Sequence, residues 1–545
     1  MESILCFDAN PKIYWLIGYL IAFGIGLYIT LKQNPKVSIF LLASLCMLLY
    51  MRLPIVLFNR EIDVDESQML TQAITLLKDP VYWHSVDGTT GGPLGSYFLI
   101  LPYLVIGKFN YIASHLGSVT LVSITLICIF KSLQNLFNKK TALLVSYPII
   151  LFYSFTQYND FVHYSSEHLP VTLLGFTLYL LSNKKLLGNN FLYIIALAIL
   201  SFAVPFGKIQ SLPLLFVNLV YLLYLFIKNR SSKHFIIFTA TYSICWIIFI
   251  SILYYANIFD DFINFYIKAN FTYRNENQSW LSNIIILPYQ YRFSVDFLLL
   301  LAPLIVVLLI SVHTIKLFNH LLIFAVFYFI FGILAITRTG SGYPHYLLFM
   351  IIPTGLLLGI FYNNINPIKI YLPVSFISFC YMILIGLSLY HFKENKALNK
   401  FSTVNHTNQN LPFTVTGLEI MNYKKPGDYL AVWGWNCQYY VETQMPQGAC
   451  ENHTIRSIFN HESRKDYRDR YIKDLKENKP AIIVDAVGPN SCWVQDTATQ
   501  GCMSFPELRN YIKAKYQLVS TKDNNKLYVR KDRLPTNNDF YSLEH

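Results

Sequence analysis

The chain has 545 residues and is 54% hydrophobic and 16% aromatic but only 14% charged, where a soluble domain carries about 25% charge, so most of its apolar surface is not solvated by water. Its formal charge of +12 comes from Lys and Arg scattered through short loops, not from one basic stripe, which argues against nucleic acid as a partner. A polytopic membrane protein is the class that remains.

A helix needs roughly 20 mostly apolar residues to cross the hydrocarbon core. In chain order, twelve such runs occupy about 13–31, 37–58, 112–131, 141–157, 169–182, 191–206, 211–227, 235–256, 296–312, 318–336, 346–362 and 370–390. The first follows Asp8 and Lys12 and has no small-residue cleavage site after it, so it reads as an anchor rather than a removable signal. One set of connecting loops is short and carries Lys32, Lys36, Lys131, Lys139, Lys140, Lys184, Lys185, Lys228, Arg230, Lys233, Lys316 and Lys369 with no acidic residue. The positive-inside rule places these in the cytoplasm. The other set, 59–111, 158–168, 207–210, 257–295, 337–345 and everything after 390, is mixed in charge and faces outward. An even number of spans puts both termini outside. The stretch 97–107 is apolar over about half a span and reads as interfacial or re-entrant.

This divides the chain into a membrane domain over 1–390 and a soluble periplasmic α/β domain over 391–542; residues 543–545 resemble the start of a histidine-tag scar. In the second domain Tyr429–Trp433 and Pro480–Asp485 read as buried strands, and Ser463–Asn478 and Phe505–Lys515 as helices. Its four cysteines, Cys437, Cys450, Cys492 and Cys502, have no CxxC spacing, and outside the cytoplasm they read as two disulfides rather than a zinc site. Of three pairings, Cys437–Cys450 with Cys492–Cys502 closes the shortest loops. Cys6, Cys46, Cys128, Cys245 and Cys380 fall in or beside apolar runs and read as packing residues. Trp433, Trp435, Tyr439 and Tyr440 have the chemistry to stack on sugar rings, but core packing is the plainer reading.

The chemistry-bearing residues lie in the outward loops. After the second run comes Asn59-Arg60-Glu61-Ile62-Asp63-Val64-Asp65-Glu66-Ser67-Gln68, with four carboxylates in six residues. Such crowding suits either a proton-transfer role or, more plainly, a solvated loop or a helix N-terminus that attracts acids. Gly91-Gly92-Pro93-Leu94 marks a turn through which backbone can approach a ligand. The loop near 160 offers Asp160, His163, Glu167 and His168; Lys208 and Gln210 end an apolar run; Arg338 and His345 bracket Thr339-Gly340-Ser341-Gly342-Tyr343-Pro344. Snorkelling for Lys208 and an ion pair for Arg338 are the structural alternatives. The topology, assigned without these groups, puts them all on one face, so a shared cavity with carboxylates for proton transfer and cations for phosphate is expected. A divalent metal on His84, His163, His168 and His345 is the competing reading; no HxxxH or HExxH pair supports it.

Taken in order, Asp65-Glu66-Ser67, the Asp79-Pro80 and Gly92-Pro93-Leu94 stretches, Ser166-Glu167-His168-Leu169-Pro170, Arg338 with Pro344-His345-Tyr346, and a C-terminal outer domain resemble the polyprenol-phosphate-sugar-dependent glycosyltransferases of the C-type superfamily. The likeness covers roughly 50–360 and lies near bacterial relatives of protein O-mannosyltransferases and the lipid A aminoarabinose transferase. It implies an inverting transfer of a sugar from a polyprenyl-monophosphate carrier to a glycan, lipid A or protein acceptor, by a monomer in the bacterial inner membrane. It also implies Asp65 as the residue that deprotonates or orients the acceptor, with Glu66, Asp160 and Glu167 as supporting acids. Lys208, Arg338 and His345 would bind the donor phosphate, and Asp63, Gln210 and Tyr346 the substrate. Many relatives carry a Lys before a Pro-Pro-Leu stretch; here the place reads Gly91-Gly92-Pro93-Leu94.

Two other classes share the general layout. A transporter or flippase of lipid-linked substrates tends to show matched halves and mid-span charges, which this chain lacks. An O-antigen ligase or polymerase would work on a diphosphate-linked glycan, with Arg and His in place of an acidic first loop.

Overall fold

The computed structural model describes residues 11–183, 185–188, 190–272, 282–284, 295–314, 319–365, 372–393 and 410–534. Cys6, Lys184, Lys316, Lys369, residues 543–545 and most of the second half of the 257–295 loop lie outside them.

All twelve apolar runs are helical where described. Among the described residues, nine helices are long and apolar enough to cross a membrane: Pro11–Leu31, Val37–Val56, Tyr111–Leu136, Ile209–Lys228, Ser232–Tyr255, Val295–Thr314, His320–Thr337, Pro344–Asn364 and Leu372–Lys393. Nine of the twelve expected runs thus reach spanning length among the described residues. The other three runs form Lys139–Phe155, His168–Ser182 and Leu192–Gly207, of 17, 15 and 16 residues, and at 1.5 Å per residue these rise only about 22–26 Å. Burial differs widely among the long helices: Ser232–Tyr255 buries only Leu253, while Pro344–Asn364 is enclosed. The chain is a multi-pass membrane protein.

Two compact units are formed. One comprises Met1–Phe58, His115–Ile252 and Phe271–Gln409, and the other Asn59–Ser114, Leu253–Asn270 and Asn410–His545. The boundary expected at 390 runs along the chain, whereas the second unit gathers two further segments from between the spans.

The second unit is built on a four-stranded sheet of β1 (Leu430–Trp433), β2 (Ile482–Asp485), β3 (Tyr516–Ser520) and β4 (Lys526–Arg530) in the order β1-β2-β4-β3. Strands β1 and β2 pair in parallel and the rest antiparallel, with a register shift between Leu518 and Ser520. The two strands and two helices read from the sequence are present, the helices as Arg464–Asn478 and Pro506–Lys515. The hairpin β3–β4 is additional; Asp523 and Asn524 turn it at positive φ, a conformation Asn and Asp tolerate better than most. β1 and β2 are buried throughout, as strands covered on both faces must be.

The helix Val64–Lys78 belongs to this unit's interior. Thr71 Oγ1 donates to Cys437 O at 3.3 Å, Asn452 Nδ2 to Gln68 O at 2.9 Å and Gln447 N to Thr75 Oγ1 at 3.1 Å. Asp87 pairs with Arg470, and Arg470 lies 3.5 Å over the Phe265 ring. Trp433, Trp435, Tyr439 and Tyr440 are buried in the core. Gly434 between the tryptophans has φ +119°, and a Cβ there would come within 3.0 Å of the Ala486 carbonyl carbon, so only glycine lets β1 turn at this point.

Candidate active site

In the second unit the acidic segment resolves into distinct jobs. Asp63 is the N-cap of Val64–Lys78 and accepts from Asp65 N–H at 3.0 Å. Glu66 is fully buried and reaches back to Ile62 N–H at 3.0 Å, much as the acid of a capping box does. Glu61 accepts from the Ser67 hydroxyl, which also meets Tyr111 Oη at 2.6 Å. Burial raises the Glu61 carboxyl to about 8, and Glu66, Asp63 and Asp65 add to the rise against the Ser67 hydrogen bond. Asp65 remains half-exposed on the first turn. The helix-start reading therefore holds for Asp63 and Glu66.

Beside this segment the expected disulfides are absent: Cys437, Cys450, Cys492 and Cys502 are free thiols. Short loops do not make thiols face each other. Cys437 Sγ donates to Asn452 O at 3.4 Å and Cys450 Sγ to His84 O at 2.8 Å, while Cys502 N donates to Asp485 Oδ2 at 3.0 Å. Burial, with help from Asp63, Asp65 and Glu61, pushes the Cys492 thiol up to about 11.

In the first unit four of the expected groups form a chain. Asp160 Oδ1 lies 2.9 Å from His345 Nδ1, His345 Nε2 lies 3.9 Å from Glu167 Oε1, and Glu167 is ion-paired with Lys208. Lys208 Nζ also donates to Ser166 Oγ at 2.8 Å and stands 5.0 Å from the centre of the Tyr346 ring. Lys208 sits here because the helix Leu192–Gly207 ends at it in extended backbone, after Pro205. Burial alone would raise the Glu167 carboxyl, but Lys208 and His345 outweigh it and leave the group at about 2. Asp160 is likewise held below its ordinary value, the His345 contacts overcoming burial.

Two expected members stand differently. Gln210 Nε2 donates to Ala335 O at 2.8 Å, so its amide holds backbone. Arg338 is exposed at the end of His320–Thr337, its guanidinium 4.7 Å over the Phe271 ring, and no acidic partner is recorded for it among the described residues. It precedes a loop in which Gly340 and Gly342 take φ +67° and +65°. Of the other histidines, His84 contacts Asp79 at 2.8 Å, His163 contacts Asn159 O at 2.7 Å and His168 contacts Ser165 Oγ at 2.9 Å. Among the described residues no three His, Cys, Asp or Glu are grouped to hold a metal.

Sequence reasoning missed a second buried charged cluster in the first unit. Asp296 accepts from Thr156 Oγ1 at 2.6 Å, Gln157 N at 2.8 Å and His391 Nε2, while Arg52 Nη1 donates to Thr156 O at 3.2 Å. The available signal was a charged residue inside or at the edge of an apolar run, which is rarely accidental.

No protein-family profile and no curated protein matches the sequence. Solved structures do. ArnT from Cupriavidus metallidurans, a lipid A aminoarabinose transferase, is similar in its undecaprenyl phosphate-bound form with a TM-score of 0.55 and 10% identity, covering 92% of this chain and 100% of that one. Its apo form gives 0.52 and 10%, covering 97% and 100%. The Archaeoglobus fulgidus oligosaccharyltransferase tethered to an acceptor peptide is more distant, at 0.42 and 11%, covering 98% and 76%. At such identity the likeness is one of fold: this chain shares the fold of the two Cupriavidus metallidurans ArnT structures.

Proposed function

We propose that this chain is a membrane glycosyltransferase that takes a sugar from a polyprenyl-monophosphate carrier and passes it, with inversion, to a glycan, lipid or protein acceptor on the periplasmic face of the bacterial inner membrane. The observation that carries the reading is the fold shared over 92% of the chain with a protein solved with undecaprenyl phosphate bound.

The roles follow from charge and exposure. Asp65, half-exposed at the start of its helix, takes or orients the acceptor proton. Glu66 and Asp63, engaged with backbone N–H groups, hold the helix start that presents it. Arg338, exposed and stacked on Phe271, contacts the donor phosphate. Lys208 and His345, balanced by Glu167 and Asp160, supply a fixed field for the charge that grows on the phosphate as the glycosidic bond breaks. Phosphate leaves without needing a proton, so one base suffices where hydrolases use two carboxyl groups.

The test is incubation of membranes containing the protein with labelled polyprenyl-phosphate sugars, the products being identified by mass spectrometry. Asp65→Asn abolishes product while expression and donor binding persist. Movement of a lipid-linked substrate across the bilayer with no new glycosidic bond would instead make the chain a transporter.

A further inference from the structure

The second unit contains a cavity of about 270 Å³ that the roles above do not use. Its apolar side is made by Phe505 and Ile472, with Trp433 and Tyr471 buried behind them, and its cationic side by Arg464, Lys465 and Arg468. Trp433 packs against Tyr471 and Phe505 with ring centroids 5.2 and 5.0 Å apart, and its indole N–H donates to Gln500 O at 2.8 Å. The wall is therefore rigid.

Arg468 is fixed in two ways: Nε donates to Ser457 O at 2.7 Å, and the guanidinium lies 4.1 Å over the Phe505 ring. These contacts leave its terminal nitrogens for another acceptor. Arg464 and Lys465 have no ion pair among the described residues. They occupy the first turn of Arg464–Asn478, where the helix dipole disfavours cations, so the fold gains nothing from them there. Two carboxylates, Asp469 and Glu507, stand at the same opening.

That mixture selects among ligands. A bare inorganic anion would be served by cations alone and repelled by the two carboxylates. A sugar carrying an acidic group uses all of it: its acid meets the guanidiniums in paired hydrogen bonds, its hydroxyls donate to Asp469 and Glu507, and its apolar face lies against Phe505 and Ile472. The volume is near the lower end of small-ligand sites, which start at about 300 Å³, and suits one sugar residue with its substituent.

We infer that this cavity binds an acidic saccharide. That the bound saccharide belongs to the acceptor rests on the transferase reading above; the binding itself does not.

The experiment uses the full chain in detergent micelles, with calorimetric titration of oligogalacturonate, a malto-oligosaccharide of equal length, and inorganic phosphate. Oligogalacturonate binds about tenfold or more tighter than the neutral oligomer, and Arg464→Glu with Lys465→Glu removes at least that factor while the melting temperature is unchanged. Because Arg468 also supports Ser457, it is left intact; Asp469→Asn with Glu507→Gln weakens the oligomer and not phosphate. Equal binding of acidic and neutral oligomers, binding indifferent to the Arg464 and Lys465 changes, or phosphate competing as well as the saccharide would each overturn the inference. Absence of transfer from any lipid-phosphate sugar, with this binding intact, would refute the transferase reading and leave the acidic-saccharide site standing.

Discussion

Lys208 and Glu167 are both almost wholly buried, and a buried charge is tolerable only while its partner remains. Lys208→Ala or Glu167→Gln is therefore expected to destabilise by about 3–5 kcal/mol, whereas Lys208→Met with Glu167→Leu recovers much of the loss; thermal melting of the detergent-solubilised protein checks both. The Glu167 carboxyl, held at about 2 against an ordinary 4.5, contributes stability above pH 4.5 that disappears as pH falls toward 2. Glu61 runs the opposite way. Its carboxyl is raised to about 8, so the folded state holds a proton the unfolded chain releases, and this contribution is full below pH 4.5 and lost as pH rises through 8. Between pH 5 and 8 the melting temperature of Glu61→Gln should fall less than that of the parent; parallel curves would mean Glu61 is ionised throughout. The sequence showed these side chains as candidates, but it could not show that Glu167 neutralises Lys208, because the partners are 41 residues apart.

At the scale of the element, Val64–Lys78 shows how one acidic stretch divides its labour. Asp63 caps the helix through the Asp65 N–H, so Asp63→Ala is expected to cost about 1 kcal/mol, while Asp63→Asn, an equally good cap, is nearly neutral. Denaturant titration separates the two variants, and retained transfer in Asp63→Asn would assign the residue to the cap rather than the substrate. A helix N-terminus was one of the readings the crowded acids offered in sequence; Asp63 as its cap was not. Nor was it legible that Glu66 among the four carboxylates would be the buried one, since that depends on the helix's neighbours in three dimensions. The cysteines make the same point: their number and compartment suggested bridges, but bonding is decided by where Sγ atoms point, and Cys437 and Cys450 point at backbone carbonyls.

For the whole molecule, the second unit is assembled from three pieces of chain. The helix Val64–Lys78 and the Asp87–Arg470 pair belong to its interior, so a fragment starting at residue 391 lacks part of its own core. Such a fragment should show no cooperative melt by circular dichroism, and joining residues 59–114 to it through a flexible linker should restore one; a well-folded 391–545 fragment would contradict this account. The membrane class, the apolar helices and the first two strands were legible in the sequence alone, because hydropathy acts locally along the chain. Tertiary structure alone decided that the first outer loop is a structural piece of the C-terminal sheet unit, that Lys208 is paired and Arg338 exposed, and that Asp296, Arg52 and His391 share one buried cluster. Each of those outcomes depends on packing between segments scores to hundreds of residues apart, where no periodicity records the contact.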